Sequence, residues 1–70
     1  MSNQEVLALW AALKDVVDQI DVDVRKNSNG NASAGVRARK GLRTIRAKAA
    51  EITKLTIDLE KVRKQQSSAE

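Results

Sequence analysis

Eight cations, Arg25, Lys26, Arg37, Arg39, Lys40, Arg43, Arg46 and Lys48, stand between positions 25 and 50, a stretch without a single acid. Arginine offers several fixed donors that grip phosphate oxygens, and lysine adds a compact point charge, so this run is suited to holding a polyphosphate backbone. At a helical turn of about 100° per residue, Arg39, Arg43 and Arg46 fall within about 60° of one another and form one ridge; Lys40 lies farther round, and Arg37 and Lys48 lie on the opposite flank. The bland alternative is a solvated face whose cations pair with acids elsewhere in the chain. Residues 1–24 supply five acids, Glu5, Asp15, Asp18, Asp21 and Asp23, against Lys14 alone. Asp15 points away, so the cations outnumber the acids within reach, and pairing is expected chiefly at Asp21 and Asp23 near the turn.

The ridge holds no Asn or Gln to read base edges. Readers of single strands and RNA stack bases on aromatic side chains, and the one aromatic here, Trp10, sits in an apolar seam. The expected partner is therefore double-stranded DNA, held by its phosphates with little sequence preference.

Other chemistry lacks its residues. The 70-residue chain has no Cys and no His, which removes thiolate nucleophiles, disulfides, the usual zinc sites and every imidazole base. Ser and Thr have no base at a recognisable spacing. Asp15, Asp18, Asp21 and Asp23 scatter round the helical wheel and read as solvated surface acids. The three glycines follow no strand and precede no Gly-Lys-Ser/Thr, so they form no phosphate loop. The expectation is a protein that is not an enzyme, with no cofactor, no metal and no small-molecule substrate. No apolar run approaches 18 residues and no leader-like segment opens the chain, so no membrane association is expected and the place of action is read as cytoplasmic. The net charge of +4 agrees with a polyanionic partner.

Helices must position these residues. Pro is absent, Gly is scarce, and aliphatics with Ala make up nearly all of the 41% hydrophobic content, the profile of an all-α chain. Val6, Trp10, Leu13, Val17, Ile20 and Val24 recur at alternating spacings of four and three, a coiled-coil seam with Leu9 and Val16 beside it. Ser2 or Asn3 is the expected N-cap, and Glu5 suits the first turn. Asn29-Gly30 is the strong turn signal, with Asn31, or Ser28 a turn earlier, as the cap of a second helix. A second seam runs from Ala38 through Leu42, Ile45, Ala49, Ile52, Leu55 or Thr56, Leu59 and Val62. The pattern predicts a single domain with an acidic amphipathic helix over 1–25, a turn at 26–30, a long basic helix over 31–66 and a frayed tail at 67–70.

A short turn between two amphipathic helices predicts an antiparallel, coiled-coil-like hairpin. Trp10 is expected as the core anchor, opposite Ala47 and Ala49, and close approach of the helices at Gly41 would offset its helix-propensity cost of about 1 kcal/mol. The longer second helix is expected to outrun the first by about 15 to 20 Å, leaving Leu55, Ile57, Leu59 and Val62 without a partner in their own chain. A homo-oligomer, in the simplest case a dimer through Ile52, Leu55, Leu59 and Val62, would cover them.

The stretch Gly30-Asn31-Ala32-Ser33-Ala34-Gly35-Val36-Arg37-Ala38-Arg39-Lys40, followed by Leu42, Ile45 and the Ala-rich 47–50, resembles the bacterial histone H1-like Hc1 family, where Gly-Asn, small residues and Arg-x-Arg open a long helix. The resemblance covers the second helix; the first matches only as an amphipathic segment. It implies a nucleoid-associated protein that binds and compacts DNA without marked sequence specificity, acting in the nucleoid, with Arg37, Arg39 and Lys40 at the matching positions. The closing Ser67-Ser68-Ala69-Glu70 departs from the Lys/Ala/Pro-rich composition of a chlamydial-type tail, and a tail-less member of the family is the expectation. The competing reading is a coiled-coil interaction or assembly module whose charges set partner and register. Binding to an anionic membrane surface is weaker still, because no bulky apolar residue flanks the ridge for insertion.

Overall fold

The computed structural model describes residues 3–68, with side chains through residue 64. It is all-helical: α1 spans Asn3–Ser28 and α2 spans Ala32–Ser68, with no strand among the described residues. Together they form a rod 59 Å long and 15 by 13 Å across.

The turn is built by three consecutive residues. Gly30 takes φ of 100°, the left-handed conformation that lets a helix end without a Cβ penalty. Its N–H donates to the Asn27 carbonyl at 2.9 Å, and the Asn31 N–H donates to the Lys26 carbonyl at 3.0 Å, the paired bonds of a Schellman ending. Asn31 then serves the next helix, since its Oδ1 accepts the Ala34 N–H at 2.9 Å, an N-cap bond to the third helical residue. Asn31, and not Ser28, is thus the cap. α1 continues through Ser28, beyond the Arg25 boundary expected from sequence, because the termination signal is Gly30 and the polar residues before it are compatible with helix. α2 includes Ser67 and Ser68; Ala69 and Glu70 lie outside the described residues, as does Ser2, the alternative first cap. Asn3 is already helical, and its side-chain carbonyl accepts Arg63 Nη2 at 2.7 Å.

Contacts fix how the helices meet. Asn3 bonds Arg63, Ile20 lies over Gly41, and Asp23 bonds Arg37, so partner numbers fall along α2 as they rise along α1. The packed seam of α1 is Val6, Leu9, Leu13, Val16, Ile20 and Asp23, and that of α2 is Ala34, Ala38, Gly41, Ile45, Lys48, Ile52, Leu55 and Leu59, all buried or half-buried. Both repeat at alternating threes and fours, a heptad spacing.

This seam is rotated from the expected one. Leu9 and Val16, expected at the edge, are central, while Trp10 is 48% exposed, and Val17, Val24 and Leu42 are exposed as well. Trp10 is therefore no core anchor; its ring carries Lys14 Nζ at 5.7 Å from the centroid, a surface cation–π contact. The small residues at the turn end decide the rotation. Ala34 and Ala38 are buried with Ile20, and a Cβ on Gly41 would collide with Ile20 Cγ2. Close approach here places Ile20 in the notch of Gly41, as expected for that glycine, and brings the Leu9/Val16 row inward.

The unpartnered overhang also needs correction. Leu55 lines a groove with Ala8 and Leu9, and Leu59 lines another with Val6 and Leu7. With Ile52 they are half-buried against α1, whereas Ile57 and Val62 are exposed. The cause is register: the three-residue connection at 29–31, shorter than expected, lets α1 accompany α2 to the reach of Arg63.

Candidate nucleic-acid interface

The basic residues divide by helix face. Arg39, Arg43 and Arg46 are exposed on the side of α2 turned away from α1, Lys40 is exposed at the edge of a groove it lines with Val16, Gln19 and Ile20 of α1, and none of the four side chains makes an ion pair or hydrogen bond among the described residues. Arg39 to Arg46 covers about 10 Å of axis, a length that about three successive phosphates of one strand occupy at about 3.4 Å of rise each. The charge is not opposed on its own helix, because the first acid C-terminal to the run is Glu51.

Other members of the run are already engaged or turned elsewhere. Arg37 Nε donates to Asp23 Oδ1 at 2.9 Å, with the Asp23 carboxylate largely covered, and Arg25 Nε donates to Asp21 Oδ2 at 2.9 Å one helical turn back. The hydrogen bond from Arg25 to Asp21, with the carboxylate's charge, raises the Arg25 pKa above its ordinary value. These are the two acids expected to pair near the turn. Lys48 is half-buried in the helix–helix seam, and Lys26 is exposed in the last turn of α1, where the helix dipole favours a cation. Of the eight, three make an unpaired outward ridge with Lys40 unpaired at its edge; two are held by carboxylates, one is in the seam and Lys26 is in the last turn of α1.

Two cations outside the run extend the Lys40 edge. Lys54 and Lys61 are exposed and follow Lys40 at multiples of seven residues, so they share its edge of α2. Heptad spacing was the signal for them, hidden because Glu51, Asp58 and Glu60 stand nearby in sequence.

Folding turns a polarity along the chain into one across the rod. Asp15, Asp18 and Asp21 are exposed on α1 at positions pointing away from α2, so these three acids lie on the opposite side of the rod from the arginine ridge, over about 9 Å of helix axis. A polyanion approaching the ridge meets α2 first, with the acids behind two helix diameters. Among the described residues there is no group of three or more acids or other ligands placed to hold a metal ion, and no helix is long and apolar enough to cross a membrane.

Comparison with known proteins points the same way. The family model described as histone H1-like protein Hc1 matches residues 8–62, so it takes in most of α1 as well as α2, a wider span than the resemblance of the second helix alone. No curated protein and no solved structure matches.

Proposed function

This chain belongs to the histone H1-like Hc1 family, and from that premise we propose that it binds double-stranded DNA through phosphate contacts from the outward face of α2, without sequence specificity, and so helps organise and compact a bacterial nucleoid in the cytoplasm. Family membership implies the DNA partner. The observation that carries the finer reading is the row Arg39, Lys40, Arg43 and Arg46, exposed, unpaired and set in a stretch, 25–50, that holds no acid. The working form is an antiparallel hairpin, supported by the falling order of partners, and a homo-oligomer, supported by a core in which Ile20, Ala34 and Ala38 are the buried apolar side chains among the described residues. Arg25 and Arg37 join DNA contacts only by giving up a carboxylate; Lys26 and Lys48 contribute to the field more than to direct contact.

Fluorescence anisotropy with duplexes of unrelated sequence, at two salt concentrations, tests the reading. Counterion release gives a slope of log K against log salt of about −0.9 per phosphate contacted. The triple change Arg39→Gln, Arg43→Gln and Arg46→Gln keeps helix propensity nearly constant, so the expected result is unchanged melting and a slope smaller by about 2.7 per chain. A triple variant that keeps both affinity and slope would transfer the case to the interaction-module reading.

A further inference from the structure

The two sides of the rod differ in a way the DNA reading does not use. The groove that joins Asn3 and Leu7 to Thr56 and Arg63 shows which flanks of α1 and α2 share a side. Steps of seven from Asn3 give Trp10, Val17 and Val24; steps of seven back from Thr56 give Ala49 and Leu42. All five are exposed, Trp10 by 48%, Val17 and Val24 by 44% and Leu42 by 51%. From Trp10 to Val24 this is a strip about 20 Å long with no charged residue at its central positions. The corresponding positions on the other side are Glu5, Ala12, Gln19 and Lys26 on α1, with Arg37, Thr44, Glu51 and Asp58 on α2, a polar face of ordinary kind.

We infer that the side bearing Trp10, Val17, Val24, Leu42 and Ala49 is covered by a second copy of this chain. The inference refines the homo-oligomer part of the proposed function and does not depend on DNA binding. Surface area supports it: the chain exposes 5465 Å², whereas a compact monomer of 7.7 kDa exposes about 4,300 Å². The excess of about 1,100 Å² exceeds the roughly 800 Å² that each partner contributes to a standard interface. The spacing supports it as well, because a face repeating every seven residues is matched by helices with the same repeat, and a second copy supplies them. Duplex DNA is the weaker occupant of the strip, whose cations are Lys14 over the Trp10 ring and Arg63 at one end, against four in the basic row. Pairing two such faces makes a four-helix arrangement, with the Arg39 and Arg46 edge at the rim and Arg43 on the outside.

Sedimentation velocity from low micromolar to submillimolar concentration, on wild type, Val17→Glu and Val62→Glu, tests it, with helicity and Trp10 emission recorded on the same samples. The expected result is a wild-type dimer whose Trp10 emission shifts to the blue on association. Val17→Glu raises the dimer dissociation constant by about 100-fold or more through a buried unpaired charge, and Val62→Glu associates like the parent. Val17 is exposed in the single chain, so helicity should survive its change; if it does not, Leu42→Lys and the wild-type emission decide in its place. A wild type that stays monomeric, a Val17→Glu variant that dimerises normally, or a monomer that co-sediments with anionic vesicles overturns the inference. Dissociation by Val62→Glu alone also overturns it, moving the contact to the C-terminal end of α2 and leaving the homo-oligomer standing. DNA binding by a strictly monomeric wild type would remove this inference while sparing the phosphate reading.

Discussion

Arg43 and Arg37 stand six residues apart in one basic run, yet the fold gives them different work. Arg43 is exposed and unpaired, while Arg37 closes a 2.9 Å pair on Asp23. Changing Arg43 to Gln is expected to lower the salt slope of DNA binding by about 0.9 with no change in melting. Changing Arg37 to Gln is expected to leave the slope nearly unaltered and to cost about 0.5 kcal/mol, the modest value of a partly exposed interhelical pair. Anisotropy titrations and urea unfolding of the two variants separate the roles. Gly41 gives the sharpest packing test. Alanine there gains about 1 kcal/mol of helix propensity, but its Cβ would collide with Ile20 where backbone and a stiff β-branched side chain have little room to yield. Overpacking costs of about 1 to 3 kcal/mol are usual, so a net loss of stability is expected in denaturant unfolding, opposite in sign to the propensity scale.

At the scale of the elements, the turn shows how few residues set the geometry. Gly30 ends α1, and Asn31 both closes that ending and caps α2. Because the connection is only 29–31, the register of all later pairs is fixed within a turn of helix, including those at Leu55 and Leu59. Asn31→Ala removes the acceptor for the Ala34 N–H, and a loss of about 1 kcal/mol in thermal or urea unfolding is expected. DNA affinity at a temperature where the variant stays folded should not change, since no ridge residue depends on that bond.

For the whole molecule, the slim rod sets the thermodynamics. With Ile20, Ala34 and Ala38 as the buried apolar side chains among the described residues, a single copy has little to set against the entropy of ordering its chain. Association that contributes to stability makes melting depend on concentration. The midpoint of the helical transition, followed by circular dichroism, is therefore expected to rise by several degrees for each tenfold increase in protein. A midpoint independent of concentration would mean that the two-helix unit is stable alone.

The all-helical class, the turn at Asn29-Gly30, the cap at Asn31 and the basic run on the second helix were legible in the sequence because each rests on local chemistry: propensity, φ at glycine, a side-chain oxygen one turn from an N–H, and charge. The choice of buried row was not legible. Each helix carries two adjacent apolar rows at heptad spacing, Leu9 and Val16 beside Trp10 and Val17 on α1, Ile45 and Ile52 beside Leu42 and Ala49 on α2, and periodicity weighs such rows alike. Tertiary structure chose between them where the helices first meet, because Ala34, Ala38 and Gly41 allow an approach that only Ile20 fills. That choice turned Trp10 outward and left Arg39, Arg43 and Arg46 clear of α1. Free cations and paired ones look the same in the sequence; which carboxylate lies within 2.9 Å is decided by how two helices settle against each other, a property of packing and register.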